Sequence, residues 1–319
     1  MPYSWDDQHD FDAGVTKGYS YHDARKSYDD VAVAKTSGRV IYTYKNDFLQ
    51  TEARYPILIG IDTTGSMEQW PRIFFDKLPL LYKEAVKYFP DCAISFQAIN
   101  DYHADGADVA LQPAPFGQGP QLDELIGQLY PVGGGGGQAK ESYEMFALYN
   151  AFLKAPKAII KPIAIILGDE APWEEVPPDV SRFYKIPESV PAEEAFRRLH
   201  QTCDVFLIRK PYYGFGEADQ PMIDIWKKTA QMPEERILNI NDPKRVVDVI
   251  LGVLGILTGK TELFESELVE RQNPDQVNEV LKSLHSLKVS YHQRTQVSQH
   301  SVTLTTKGTG KTRILDQDS

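Results

Sequence analysis

Cysteine is scarce. Two in 319 residues cannot staple a small disulfide scaffold, nor build a structural zinc site without help from histidines. Cys92 and Cys203 both fall in apolar, strand-like runs, which predicts buried free thiols and a reducing, cytoplasmic setting. The seven histidines include no His-Glu-x-x-His or comparable grouping. Positive charge is in deficit as well: 34 Lys and Arg against 45 Asp and Glu leave a net charge of -11. That balance disfavours nucleic acid as a partner and favours cations or basic surfaces. No apolar run approaches the roughly 20 residues that a membrane-spanning helix needs. The start, Met1-Pro2-Tyr3-Ser4-Trp5-Asp6-Asp7, lacks the basic residues and apolar run of a secretory signal. With 42% hydrophobic and 25% charged residues, the remainder reads as a soluble globular chain, and 319 residues suffice for one large α/β domain with extensions or two small domains.

Three regions differ in composition. Residues 1–50 are rich in Tyr, Asp and Lys and poor in aliphatic side chains, which predicts a partly ordered arm with one strand over residues 39–44. Within it, Asp10-x-Asp12-x-Gly14 lacks the closing Glu of a calcium loop. Residues 51–259 alternate apolar strand patterns with amphipathic ones. Strands are expected at 57–61, 91–99, 163–167 and 204–208, with a shorter one at 237–240. A helical stretch over 70–89 is divided or kinked by Pro79, and helices are expected around 141–152, 192–200, 219–230 and 243–257. Strands alternating with helices imply parallel βαβ units, hence a doubly wound, mainly parallel sheet with helices on both faces. Residues 260–319 form a polar extension. One amphipathic helix there carries Val277, Val280, Leu281, Leu284 and Leu287, and a hairpin is expected over 301–315 with a turn at 307–310. Thr309-Gly310-Lys311-Thr312 is not a phosphate loop, because Thr305 stands where a glycine is required.

The residues that carry chemistry sit where strands end. The run Ile57-Leu58-Ile59-Gly60-Ile61 leads directly into Asp62-Thr63-Thr64-Gly65-Ser66-Met67. An unbroken apolar run reads as a strand buried on both faces, so Asp62 lies where that strand leaves the sheet. Asp62, Thr64 and Ser66 alternate, and three hard oxygen ligands can converge on one point, as Mg²⁺ prefers. A second buried strand, Ile163-Ala164-Ile165-Ile166-Leu167, ends in Gly168-Asp169-Glu170. In an open parallel sheet, ligands bind beyond the carboxyl ends of the strands. Two acids delivered to one edge can therefore share a cation, with Glu170 as the rival ligand to Asp169.

The Asp-x-[Ser/Thr]-x-Ser pattern at Asp62–Ser66 resembles the first loop of the metal-ion-dependent adhesion site in von Willebrand factor A (VWA) domains, and Asp169-x-Ala171-Pro172 is similar to the third loop of their prokaryotic, intracellular members. The resemblance covers about two-thirds of the chain. It implies a VWA/Rossmann-like fold and a Mg²⁺ or Mn²⁺ ion held by Asp62, Thr64, Ser66 and Asp169. It also implies a protein partner that offers an Asp or Glu to that ion. Family members of this type work beside AAA+ ATPases of the MoxR class as adaptors or assembly factors, and the resemblance implies the same kind of role here. The middle loop departs from the pattern. Gly133-Gly134-Gly135-Gly136-Gly137-Gln138-Ala139-Lys140-Glu141-Ser142 contains no Thr, which leaves either Ser142 or Glu141 to supply the ligand. Residues 100–105 follow the second strand at the same edge and read as a solvated loop. Phe116 and Trp173 would flank the site if the loops fold over it, with core or loop packing the competing account, and Tyr212-Tyr213-Gly214-Phe215 is expected as an exposed aromatic loop on the same edge.

Two other readings compete. A strand ending in Asp and Thr also resembles a haloacid-dehalogenase-type phosphatase, but that chemistry needs a second acid where Thr64 stands. A structural assembly component without a functional metal is the other. The favoured expectation is a binding module with no catalytic activity.

Overall fold

A computed structural model describes residues 42–67, 70–78, 81–132, 137–211 and 219–307, with side chains as far as residue 294. Six strands form the central sheet: β1 (Tyr55–Asp62), β2 (Cys92–Ile99), β3 (Leu111–Pro113), β4 (Ile163–Gly168), β5 (Asp204–Arg209) and β6 (Ile237–Asn239). Their spatial order is β6-β5-β4-β1-β2-β3. All neighbours are parallel except the edge strand β3, which runs antiparallel to β2. This is the doubly wound order, in which chain connections leave β1 in one direction and β4 in the other. The sheet is therefore VWA/Rossmann-like, and its switch point lies between β1 and β4.

Helices cover both faces, as an all-buried parallel sheet requires. On one face lie α1 (Trp70–Lys77), α2 (Leu81–Ala85) and α6 (Val246–Leu257), packed on Ile57, Ile59, Ile61, Ile163, Ile165 and Leu167. On the other lie α3 (Tyr143–Asn150), α4 (Ala192–Thr202) and α5 (Gln220–Thr229), packed on the alternate residues Leu58, Ala164, Ile166, Val205 and Leu207. β2 shows why alternation alone is a weak guide to burial. Ser95 and Gln97, on its second face, are fully buried. They are satisfied by Ala114 O at 2.7 Å and by a reciprocal pair of hydrogen bonds between Gln97 and Asn150 of α3 at 2.8 and 3.0 Å.

Helix α6 is apolar on almost every side, and such a helix has to be buried. Two further helices complete its cover: α7 (Thr261–Arg271) and α8 (Pro274–Lys307). Phe264, Leu268, Val277, Val280, Leu284 and Leu287 join the same core as α6. The sequence pattern anticipated α8 but not α7, whose buried residues, Thr261, Phe264 and Leu268, are too few to make a strong period. The expected strand over 301–306 is corrected: α8 continues to Lys307. Extending an existing helix fixes one residue per hydrogen bond gained, whereas a strand needs a partner edge. The rest of that hairpin and the Thr309–Thr312 segment lie outside the described residues. So do the arm over 1–41, the glycines 133–136 and the aromatic run at 212–215. The part of the 39–44 segment that is described, from Tyr42, is not a strand. No helix among the described residues is long and apolar enough to cross a membrane. Cys92 and Cys203 are both buried and free.

Candidate metal centre

The register of β1 on β4 ends at the pair Ile61 and Leu167. Asp62 and Asp169 follow one and two residues later, on either side of the switch point. Both are buried, at 0% and 3% exposure. Asp62 Oδ1 accepts the Thr64 backbone N–H at 2.9 Å and the Thr64 hydroxyl at 2.6 Å, an Asx-type turn that brings the loop back over its own carboxylate. Thr64 Oγ1 lies 3.4 Å from Ser66 Oγ, and Ser66 Oγ donates to Asp169 Oδ1 at 2.9 Å. Asp62, Thr64, Ser66 and Asp169 thus form one continuous chain across two strand ends. Asp169, rather than Glu170, makes the junction.

Tyr143 was not anticipated from the sequence. Its phenol, at the start of α3, donates a short hydrogen bond to Asp62 Oδ2. Two glycines clear the way for α3: a Cβ at Gly60 would stand 2.8 Å from the Phe146 ring, and one at Gly168 would stand 2.2 Å from Tyr143 Oη. A glycine inside a buried strand marks such a close approach, so Gly168 was the available signal. Nothing in the spacing says which aromatic fills the gap.

The glycine-rich loop leaves its described end through Gly137 and Ala139, with φ of 66° and 55°; the second value is unusual for a residue with a Cβ. Residues Lys140–Glu141 then pair, parallel, with Ala171–Pro172. This short ladder ties the middle loop to the Asp169 loop and sets the direction of Glu141. Its carboxyl is buried beside Asp62, Glu170 and Asp101, and burial followed by those three charges pushes it up to about 12. Among the described residues, Glu141 Oε2 has no hydrogen-bond partner. Ser142 points elsewhere: its Oγ accepts the Tyr102 N–H at 2.8 Å. The loop therefore brings Glu141 toward the acid pair and commits Ser142 to the neighbouring loop after β2.

Electrostatics follow from this crowding. Burial, then the Asp169 charge, raises Asp62 to about 8, against opposing hydrogen bonds from Thr64 and Tyr143. Burial raises Asp169, opposed by Ser66, Lys210 and Arg209. Glu170 rises to about 7 through burial and the Asp169 charge. Lys210 reaches in from the end of β5, its Nζ 2.6 Å from Ser66 O and 3.9 Å from Asp169 Oδ2.

Around this centre, Asn100 and Thr63 are bonded side chain to side chain. Asp101 Oδ1 accepts both the His103 N–H at 2.9 Å and the Trp173 indole at 3.0 Å. Trp173 makes a tilted ring contact with His103, centroids 4.3 Å apart, and lies under Lys140 Nζ at 5.1 Å. Phe116 is half-buried against the core on the α3 side.

The donor set fits a hard divalent ion. Four oxygens from Asp62, Thr64, Ser66 and Asp169 converge, two of them on carboxylates, and the hydroxyls spend their protons on those carboxylates while keeping their lone pairs. Mg²⁺ and Mn²⁺ take such oxygen sets. Acids crowded together in so enclosed a space are what a bound cation would offset. Among the described residues, no three His, Cys, Asp or Glu side chains gather as a ligand cluster; the set here pairs two acids with two hydroxyls instead.

No protein-family model matches this sequence, and no curated protein matches it. Solved structures share parts of its path. The pilus adhesin SpaC of Lactobacillus rhamnosus GG is 11% identical over 69% of this chain and 32% of its own, with a TM-score of 0.40. Proximal thread matrix protein 1 of the mussel byssus is 14% identical over 64% of this chain and 48% of its own, with a TM-score of 0.42. BatB of Bacteroides thetaiotaomicron is 12% identical over 65% of this chain and 99% of its own, with a TM-score of 0.38. The matched region thus spans less than half of the first two proteins. Likenesses this distant say nothing of activity. The strand order of the chain itself makes it a VWA/Rossmann-like α/β protein with two strand-end acids at its switch point.

Proposed function

We propose that this chain is a metal-dependent protein-binding module. Asp62, Thr64, Ser66 and Asp169 would hold one Mg²⁺ or Mn²⁺ ion, with Glu141 on its water shell. The observation that carries this reading is the unbroken contact chain from Asp62 through Thr64 and Ser66 to Asp169. When bound, such an ion supplies a Lewis-acidic position that a partner's Asp or Glu completes. The chain's own residues do the rest. Tyr143 fixes Asp62, the Lys140–Glu141 ladder holds the described end of the middle loop, and the Trp173–His103 ring pair offers an aromatic surface for the partner. An AAA+ ATPase of the MoxR class is the partner class to try first. This reading assigns no catalytic role, since Thr64 stands where a phosphatase needs its second acid and its hydroxyl is spent on Asp62.

Calorimetry on the full chain should show one Mg²⁺ or Mn²⁺ bound per molecule. Asp62→Ala should abolish that binding while keeping the circular dichroism of the wild type. Partner capture from a native extract should be lost in EDTA. Unchanged metal binding in Asp62→Ala would sink the assignment. Metal-dependent turnover of a phosphate ester that vanishes in Asp62→Asn would replace the binding module with an enzyme.

A further inference from the structure

Lys210 is held at the acid pair from both ends of the residue. Its backbone N–H donates to Gly168 O at 3.1 Å, extending the β4–β5 pairing to the residue just before Asp169. Its side chain then passes across the end of β4, and its ammonium donates to Ser66 O at 2.6 Å, on the loop after β1. One residue thereby connects the ends of three adjacent strands at the switch point. The ammonium is 3.9 Å from Asp169 Oδ2, and the side chain is only 15% exposed. A surface lysine loses little by swinging into water; this one is largely enclosed and anchored at Ser66.

We propose that Lys210 is a built-in competitor of the divalent ion, a positioning residue that supplies positive charge to the Asp62–Asp169 pair and lowers the affinity of that pair for metal. This inference rests on the metal reading above. The physical argument is one of like charge. The ammonium and the ion would draw on the same carboxylate, Asp169, and Ser66 both serves the ion through its hydroxyl and anchors the lysine through its carbonyl. In a largely dehydrated site, that repulsion is screened far less than at the surface. A lysine kept only for packing would predict the opposite: removing it would loosen the Ser66 loop and weaken the ion.

The opposite signs make the test decisive. Mg²⁺ affinity is measured by calorimetry on the full chain for wild type, Lys210→Gln, Lys210→Met and Lys210→Arg. The rise in melting temperature on adding MgCl₂ is measured for each. Gln keeps a donor while removing the charge, Met removes both, and Arg keeps the charge. The expected result is Mg²⁺ binding about tenfold tighter in Lys210→Gln, in line with the size of a nearby-charge effect, with a larger Mg²⁺-induced rise in melting temperature. Lys210→Met should shift the same way if it folds, and Lys210→Arg should stay within a few-fold of wild type. If wild type binds Mg²⁺ and Lys210→Gln binds it equally or more weakly, the competitor role is overturned and the metal reading stands. If wild type binds neither Mg²⁺ nor Mn²⁺, both fall together.

Discussion

On β4, Gly168 lets the Tyr143 ring of α3 press against the sheet; on α6, Gly252 lets Leu284 of α8 press against the helix. A Cβ at either glycine would stand about equally close to its neighbour, 2.2 Å from Tyr143 Oη and 2.1 Å from Leu284 Cδ1. The device is shared and the consequence is not. Around α6, the close approach buries aliphatic carbon, and the buried charges there come in opposite-signed pairs. Arg245 lies 3.3 Å from Asp248, and Arg271 reaches Asp248 at 3.8 Å and Glu84 at 3.1 Å. At the sheet edge, the close approach brings a phenol onto a carboxylate, and acid faces acid: Asp62 with Asp169, Glu141 with Glu170. Buried charge balanced within the chain is architecture. Acids that face one another, with the Lys210 ammonium 3.9 Å from Asp169, are what the proposed cation would offset.

The sharpest way to break that distinction is to remove one acid from each region. Asp248→Ala strips the buried Arg245, and the half-buried Arg271, of a counter-charge and should cost about 3–5 kcal/mol, the usual result of breaking a buried pair. Urea denaturation measures it. Asp62→Ala frees the Thr64 and Tyr143 donors but removes an acid that faces another acid, and should cost clearly less than Asp248→Ala. Equal losses in the two variants would erase the contrast.

Alanine at the two glycines tests the shared device. Both Gly252→Ala and Gly168→Ala should lose about 1–3 kcal/mol through overpacking. Thermal melts would register the two losses alike, and calorimetry separates them. Gly168→Ala should also weaken Mg²⁺ binding by displacing Tyr143, whereas Gly252→Ala should bind Mg²⁺ as wild type does.

Tyr143→Phe removes only the hydrogen bond to Asp62. Loss of an outer partner of a metal ligand typically costs about tenfold or more in affinity, so Mg²⁺ titration should show a drop of that order with the fold intact. A variant that binds as tightly as wild type would reduce Tyr143 to core packing.

The smallest effect is a trend with pH in metal-free protein. Asp62 is raised to about 8 and Glu170 to about 7, so each holds its proton more tightly folded than unfolded. Stability from that source is present at acid pH and is lost as pH rises through those values. Melting temperature should therefore decline from the ordinary carboxylate range up to about pH 8. Saturating Mg²⁺ should flatten or reverse the decline, because the ion favours the ionised acids. A metal-free protein that gains stability over that window would contradict the unbalanced-acid picture.

Much of this molecule was legible as sequence because parallel strands buried on both faces write themselves as continuous apolar runs. The segments ending at Asp62 and Asp169 are of that kind, and the acids that break them mark the sheet edge. The far end of α8 was misread because Val302, Thr303 and Thr305 favour strands only where a partner edge exists, and α7 was missed because its period is short.

The sequence by itself determined which residues reach the carboxyl edge: Asp62, Thr64 and Ser66 on one loop, Asp169 on another, Glu141 and Ser142 on a third. That follows from local rules, as strand period, turn chemistry and the order of apolar runs act over a few residues. Tertiary structure decided the rest. It turned Glu141 toward the acids and Ser142 toward Tyr102, seated the Tyr143 phenol on Asp62 through the space left at Gly168, and brought the Lys210 ammonium across β4 to Ser66. The hydrogen bonds among those contacts join residues 40 to 144 positions apart. Their geometry depends on how helices pack and strands register, and no local pattern encodes it.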